Sequence, residues 1–437
     1  MLDSREIFGE LKAASYFSFD HFPDTTNAQL FCNSIIEEIL AVEERKRKRR
    51  AGDQDKFDKA TVAMLCRLLA VNDVDNRRWV FRSLREETFT SSSIKGETFR
   101  KVISGLDALD YVQVVKGGNH RNPFYKEGQQ EYHAGLATRF SATDKLIDQA
   151  SSFGVHVADY RRHFKKRPNL NQVTLKASSQ RIQNIKYNGK QLKYAHTEQS
   201  NAIKEQLIQI NTYLSQQRYC GMEFYGLRRI FNEGDRPEFR WDMGGRLYAA
   251  SENNYQHLKK EERLKIKIND QEVVEIDINA SYLRILHGLR GFEIPDGDDI
   301  YKIGGLDRRI VKAWIATTLG HDKFHRAWSK SAIETLHKAG FEKKQLPSYP
   351  SIKAEILKRF PVLEGWGTFD IRWSHLMFEE SEAVIQTMLA LQRNDIPSLP
   401  VHDSLIVPKS DADQAQFVLR NVLEHRFGVS FALGVTG

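Results

Sequence analysis

Two aspartates in the second half of the chain follow short apolar runs. Asp277 lies at the end of EVVEIDI (272–278), and Asp403 lies in a His-Asp turn between the apolar segments of PSLPVHDSLIVP (397–408). A carboxylate at the end of a buried strand is costly unless it has a partner or a cation. If both segments join one sheet, the two carboxylates could hold two Mg²⁺ ions for in-line attack at phosphorus. Taken alone, either aspartate is better explained as the cap of a turn.

Helical segments accompany both aspartates and must position them. The chain turns helical after Asp277, and ESEAVIQTMLALQRNDI (380–396) forms a helix before the His-Asp turn. RRIVKAWIATTLG (308–320) is a further helical segment, in which Arg308 and Lys312 are four residues apart.

Four segments of the second half carry these residues in order: DMGGRLYAASENNYQHL (242–258), EIDINASYLRILHG (275–288), RRIVKAWIATTLG (308–320) and VHDSLIVP (401–408). Together they resemble the motif set of family A DNA polymerases and of their single-subunit, phage-type RNA polymerase relatives. The resemblance covers about residues 220–437. It implies the fold of that family, a right-hand polymerase palm with helical fingers inserted between the two acidic motifs.

The resemblance implies roles in metal binding and in catalysis. Asp277 matches the first metal-binding aspartate, and the carbonyl group of Ile278 would complete that site. Asp403 matches the second aspartate, which bridges two Mg²⁺ ions. Arg308 and Lys312 reproduce the R-x-x-x-K spacing of the fingers helix, so both would face one side of the helix and bind one triphosphate. Without the other motifs, a basic surface turn would explain this pair. Lys312 would also supply positive charge or a proton to the leaving pyrophosphate.

Further residues match positions that contact the nucleic acid or the sugar. Arg246 looks like the arginine that holds the template–primer backbone, Gln256 resembles a minor-groove-reading glutamine, and His402 matches the histidine at the primer end. Tyr282 takes the position at which DNA polymerases carry a glutamate that crowds a 2′-hydroxyl and RNA polymerases carry glycine. A tyrosine ring could exclude ribose by its volume, so we expect a preference for deoxynucleotides.

The chain also departs from the DNA polymerase pattern. Its fingers helix ends in Leu319-Gly320, where DNA polymerases carry an aromatic-glycine pair that senses base and sugar. Ser404, after the second aspartate, and the segment GGRLY (244–248) are nearer to the RNA polymerase form. A primase or a small single-subunit RNA polymerase is therefore the alternative to a DNA polymerase.

The first half of the chain is basic. The formal net charge is +8, and residues 151–200 hold ten Lys and Arg against two Asp and Glu. Charge concentrated in this way suggests a polyanion partner, although a solvated surface explains it equally well. In residues 91–128 a helix with an apolar stripe from Phe99 to Leu106 precedes two short strands around a basic glycine turn. This pattern resembles a winged helix, with basic residues on both the helix and the turn.

We therefore predict an α+β protein with four segments in order along the chain. Residues 1–56 form a helical, basic N-terminal segment, 57–128 a winged-helix-like domain, 129–218 a basic linker with a thumb-like helix, and 219–437 the polymerase palm and fingers.

Several other classes of protein are not supported by the sequence. Neither a run of eighteen apolar residues nor a secretory signal occurs, so we expect a cytoplasmic protein that is nucleoid-associated or encoded by a phage, a plasmid or another mobile element. Three separated cysteines offer no disulfide framework. The phosphate-binding loop of ATP-driven helicases is missing, and His321 and His325 lack the HExxH pattern of a zinc site.

The predicted function is template-directed addition of nucleotides to a 3′-hydroxyl group with release of pyrophosphate. The expected partners are a DNA template–primer and nucleoside triphosphates, with replication proteins as further candidates and no membrane. A third alternative is a non-catalytic DNA-binding replication or regulatory protein whose palm is only a scaffold. The intact set Asp277, Asp403, Arg308 and Lys312 argues against it, because buried acids are costly to keep without a use.

Overall fold

Helices and small β-sheets are mixed along the whole chain, which confirms the α+β class in this computed structural model. The structure describes residues 9–437 apart from positions 13, 46, 74–78, 90, 91, 93, 122–132, 167–171, 183, 184, 251–253 and 298. The chain divides into two compact units, residues 1–168 and 169–437. No helix in the described part of the chain is long and apolar enough to span a membrane.

The first unit packs its main helices around a four-stranded sheet. The helices are α1 (Thr26–Val42), α2 (Ala51–Asp73), α3 (Gly96–Ala108), α4 (Asp144–Ser152) and α5 (Tyr160–His163). The strands are β1 (Ser15–Tyr16), β2 (His21–Pro23), β3 (Val80–Arg82), β4 (Val112–Val115), β5 (Gly118–Arg121), β6 (His133–Leu136), β7 (Thr138–Ala142) and β8 (Phe164–Lys166). The sheet has the order β1-β3-β7-β4, and β2–β8 and β5–β6 are separate antiparallel pairs.

The helix and the first strand of the winged-helix-like segment are present. Helix α3 buries its apolar stripe from Phe99 to Leu106, and β4 follows it directly. The glycine turn that we predicted at 116–122 is wrong in part, because Gly118–Arg121 form strand β5, which pairs with β6. The predicted return strand, residues 123–125, lies outside the described residues, and β4 pairs with β7. Arg100 and Lys101 of α3 each pair with a neighbouring glutamate. A nucleic-acid-binding role for this segment stays a prediction.

The second unit holds the remaining elements. Its helices are α6 (Glu198–Ser215), α7 (Lys260–Arg263), α8 (Ser281–Arg290), α9 (Arg308–Leu319), α10 (Lys330–Lys338), α11 (Lys353–Arg359), α12 (Trp373–Gln392) and α13 (Ala412–Phe427). Its strands are β9 (Val173–Lys176), β10 (Gln180–Ile182), β11 (Ile185–Tyr187), β12 (Gln191–Leu192), β13 (Tyr219–Cys220), β14 (Leu227–Phe231), β15 (Gly244–Ala249), β16 (Lys267–Ile268), β17 (Gln271–Ile278), β18 (Leu399–Val401), β19 (Ser404–Pro408) and β20 (Leu433–Thr436).

Two sheets organise the second unit. One has the strand order β12-β9-β14-β15, and the other has the order β13-β16-β17-β19-β18, with β20 also paired to β17. Strand β17 is antiparallel to β16, β19 and β20. Its consecutive residues 273–276 are all buried, so both faces of the strand are covered. Burial on both faces explains the apolar run that precedes Asp277 in the sequence.

Helix α12 packs between the sheet that contains β15 and other helices of the second unit. It contacts β15, α8 and α13, and it buries Ala383, Val384 and Met388. The predicted helices at α8, α9 and α12 are confirmed. Helix α6 starts after Thr197, whose side chain accepts a hydrogen bond from the amide of Ser200 at 3.2 Å, where we predicted the thumb-like helix.

The four predicted segments differ from the two units of the structure. Helix α2 continues through the predicted boundary at residue 56, and the division between units falls after residue 168. The four-segment division and the arrangement of palm, fingers and thumb stay predictions.

Candidate active site

The register of the second sheet brings the two predicted metal-binding aspartates to one end of β17 and β19. Asp277 lies opposite Ser404, and the backbone amide of Ile278 donates to the carbonyl oxygen of Asp403 at 3.1 Å. His402 and Asp403 form the two-residue turn between β18 and β19, in which His402 has a φ of 56°. The structure thus gathers these residues in one place, while their roles stay predictions.

The carboxyl group of Asp403 lies where its charge is disfavoured. Burial and the negative charge of Glu380 raise the pKa of Asp403 to about 6. Asp277 adds to this effect, whereas Arg246 opposes it. A bound cation would relieve this excess of negative potential, so the electrostatics of Asp403 suit a metal ligand.

The raised pKa predicts that Asp403→Asn stabilises the metal-free protein above pH 6. The folded state binds this proton more tightly than the unfolded chain, so the contribution of Asp403 to the free energy of unfolding falls as pH rises from about 4 to about 6 and then stays low. A pKa moved from 3.8 to about 6 corresponds to at most about 3 kcal/mol. We expect the variant to exceed wild type by about 1–3 kcal/mol at pH 7.5 in EDTA and to match it near pH 4, in urea unfolding.

The matched control is Asp270→Asn, because the Asp270 side chain is 74% exposed. Its unfolding free energy should differ from wild type by the same small amount at every pH. An Asp403→Asn advantage that does not change between pH 4 and pH 7.5 would contradict the prediction.

Glu380 of α12 is a buried acid whose charge acts on Asp403, and we did not single it out from the sequence. Its side chain is 1% exposed. One oxygen accepts a hydrogen bond from Arg246 Nε at 3.0 Å, and the other accepts one from Ser281 Oγ at 2.6 Å. The signal in the sequence is its place on the apolar face of α12, three and four residues before the buried Ala383 and Val384.

Arg246 links Glu380 to the predicted sugar-selecting residue. Its guanidinium group lies over the ring of Tyr282, at 5.7 Å from the ring centroid. Burial and the charge of Glu380 raise the pKa of Tyr282, so its hydroxyl group is uncharged at neutral pH. The negative charge of Asp403 adds to this rise, so the hydroxyl group of Tyr282 is within electrostatic range of one predicted metal ligand.

Gln256 has its side-chain amide fully engaged within the protein. Its oxygen accepts a hydrogen bond from the amide of Ala249 at 2.9 Å. Its nitrogen donates to the carbonyl oxygens of Leu247 at 3.1 Å and Pro400 at 2.8 Å. These bonds join β15 to β18 and give Gln256 a packing role, while its contact with a minor groove stays a prediction.

The predicted triphosphate-binding pair lies on α9. Arg308 is its first residue, and the exposed Lys312 follows one turn later. Arg308 pairs with Asp299 and lies 5.6 Å from the ring centroid of Tyr301. Burial raises the pKa of Tyr301 to about 12, and both Arg308 and Asp403 act on its hydroxyl group. We did not predict Tyr301, which lies beside Arg308 and whose hydroxyl group is within range of the negative charge of Asp403.

The one-turn helix α7 contacts Asp277 and Glu275 of β17. Lys260 Nζ donates to Asp277 Oδ2 at 2.6 Å. Arg263, from the same turn, donates from Nε and Nη2 to the two carboxylate oxygens of Glu275, each at 2.8 Å. Ser404 Oγ also donates to Glu275, at 3.1 Å, so packing explains the serine that resembles the RNA polymerase form. Neither Lys260 nor Arg263 carries a sequence signal of this contact.

The site offers oxygen donors for a hard cation. Within the described residues no group of three or more His, Cys, Asp or Glu side chains is arranged to hold a metal ion. His321 and His325, whose rings pack edge to face, belong to no such group. Two carboxylates and a backbone carbonyl nonetheless fit Mg²⁺, which keeps several waters and uses one or two carboxylates together with substrate phosphates. The donor set of Asp277, Asp403 and Ile278 is therefore compatible with the predicted metal.

The comparisons with known proteins give similarities to solved structures. No protein-family model and no curated protein matches the chain. Among the solved structures that match is the POL domain of Pol1 from M. smegmatis, in complex with DNA primer-template and dNTP. It is 10% identical with a TM-score of 0.29, and the match covers 98% of this chain and 67% of that one. Similarity at this level does not establish a shared fold or activity.

Proposed function

We propose that the protein is a template-directed nucleotidyltransferase that adds deoxynucleotides to the 3′-hydroxyl group of a primer. The observation that carries the proposal is the register of β17 and β19, which places Asp277 beside Asp403 at the end of one sheet. The raised pKa of Asp403 and the buried Arg246–Glu380 pair support a site built for cations and phosphates.

Each residue of the site has a defined task in the proposed reaction. The carboxylates of Asp277 and Asp403 would hold two Mg²⁺ ions, with the carbonyl oxygen of Ile278 as a further donor. When bound, these ions activate the 3′-hydroxyl group and stabilise the pyrophosphate that leaves. Arg308 and Lys312 would neutralise the triphosphate while the 3′-oxygen bonds to the α-phosphorus and the bond to pyrophosphate breaks.

Arg246 and His402 would provide the contacts with nucleic acid. Arg246 and His402 flank Asp403, where a primer end must lie for in-line attack. Arg246 needs Glu380 to hold it, because an isolated buried guanidinium group is costly.

Primer extension on a DNA template with Mg²⁺ tests the proposal, with deoxynucleotides and ribonucleotides supplied separately. We expect extension with deoxynucleotides that Asp277→Asn removes and Asp270→Asn retains. Ribonucleotide products made without a primer would identify a primase or a small RNA polymerase. DNA binding without any product would favour the non-catalytic scaffold.

The sugar preference provides a separate prediction. Replacing Tyr282 with Ala removes the ring that lies under the guanidinium group of Arg246, so a 2′-hydroxyl group would gain room. Loss of one steric contact is worth about 1–3 kcal/mol, so discrimination against ribonucleotides should fall about 10- to 100-fold. Single-nucleotide incorporation kinetics measure it as a ratio of kcat/KM values.

Tyr282→Phe is the matched control, because it keeps the ring and loses only the hydroxyl group. It should discriminate within about threefold of wild type. Equal discrimination by Tyr282→Ala and wild type would exclude Tyr282 as the sugar-selecting residue.

A further inference from the structure

Helix α7 is attached to the acidic strand by one buried ion pair. Arg263 holds Glu275 through two hydrogen bonds of 2.8 Å, and the two side chains are only 13% and 2% exposed. A paired, bidentate contact of this kind fixes the position of the turn on β17. Lys260 is the first residue of the same turn. Its ammonium group therefore reaches Asp277, which lies two residues after Glu275 on the same face of the strand.

The contact that Lys260 makes differs from the Arg263 contact in its exposure. The side chains of Lys260 and Asp277 are 33% and 35% exposed, so water reaches both. Exposed ion pairs are worth little and are easily exchanged, whereas the buried pair is not. The turn is therefore fixed to the strand by Arg263, whereas the ammonium group of Lys260 can be replaced at Asp277 by another cation.

We propose that Lys260 is a built-in competitor of the divalent metal ion at Asp277, an inference that rests on the metal site of the proposed function. The ammonium group lies 2.6 Å from Asp277 Oδ2, an oxygen that the metal would need. A metal ion on this carboxylate and the ammonium group would also repel each other at close range. Lys260 thus lowers the affinity of the free protein for metal until the lysine leaves Asp277.

Metal binding by the full-length protein tests the role of Lys260 without any catalytic assay. Binding of Mn²⁺ alone, with no nucleotide or DNA, is measured by electron paramagnetic resonance of the free ion. Mn²⁺ takes the same oxygen ligands as Mg²⁺. We expect Lys260→Met to bind Mn²⁺ about tenfold more tightly than wild type at low salt, and the difference to shrink as salt is added.

Two variants control for charge. Lys259→Met makes the same change in net charge one residue away and should stay within about twofold of wild type. Lys260→Arg keeps the cation and should also bind metal about as weakly as wild type. Lys259 is exposed, and Lys260 forms only a water-accessible ion pair, so we expect none of these changes to prevent folding.

The outcomes separate this inference from the function on which it rests. Tighter Mn²⁺ binding by Lys260→Met alone, abolished when Asp277→Asn is added, supports the inference. Equal affinity in Lys260→Met and wild type, with Asp277→Asn still removing binding, overturns the role of Lys260 and leaves the metal site intact. Failure of Asp277→Asn to change Mn²⁺ binding in any background overturns both.

Discussion

Primer extension by Asp403→Asn is expected to fall about a thousandfold or more below wild type. Asparagine keeps the shape of the side chain but removes the negative charge that would hold both metal ions at the end of β19. Residues that act as a unit give losses of this size when one is removed. The rate is measured as single-turnover incorporation of one deoxynucleotide at saturating Mg²⁺.

The stability prediction makes this loss interpretable. The same Asp403→Asn change should stabilise the metal-free protein at pH 7.5, so unfolding cannot account for lost activity. The double variant Asp277→Asn/Asp403→Asn should be about as inactive as either single variant, because both carboxylates serve the same ions. An Asp403→Asn protein that keeps a tenth of wild-type activity would exclude the proposed two-metal site.

Replacing Glu380 with Ala is expected to lower the free energy of unfolding by about 3–5 kcal/mol. Arg246 would lose its buried partner, and Ser281 would lose the acceptor of its hydroxyl group. Urea denaturation at pH 7.5 measures the change. Because the cost comes from an unpaired buried charge, Arg246→Met/Glu380→Met should recover much of the stability that either single change removes.

The neighbouring residue Glu379 provides the matched control. It pairs with Arg426 through a hydrogen bond of 2.7 Å, but the two side chains are 22% and 25% exposed. Glu379→Ala should therefore cost about 1 kcal/mol or less. If Glu379→Ala and Glu380→Ala cost the same, the Arg246–Glu380 pair does not stabilise the site as we infer.

Local patterns in the sequence predicted the elements that carry the candidate site. The apolar run before Asp277 predicted strand β17, which buries residues on both of its faces. The family motifs predicted the helices α8, α9 and α12, and the His-Asp turn between apolar segments predicted the hairpin that carries Asp403. Domain boundaries were harder, because charge and composition do not show which elements pack together, and α2 runs through the boundary we drew at residue 56.

The sequence by itself was enough to predict Asp277 and Asp403 as candidate metal ligands. It also predicted the strands next to them and the helix that carries Arg308 and Lys312. Only the tertiary structure decided which partners these residues have. Glu380 and Arg246 are 134 residues apart in the sequence, and Lys260 meets Asp277 from a turn that shows no acidic or apolar motif. The reason is physical: periodicity reports which face of an element is buried, whereas ion pairs between elements depend on how those faces pack together.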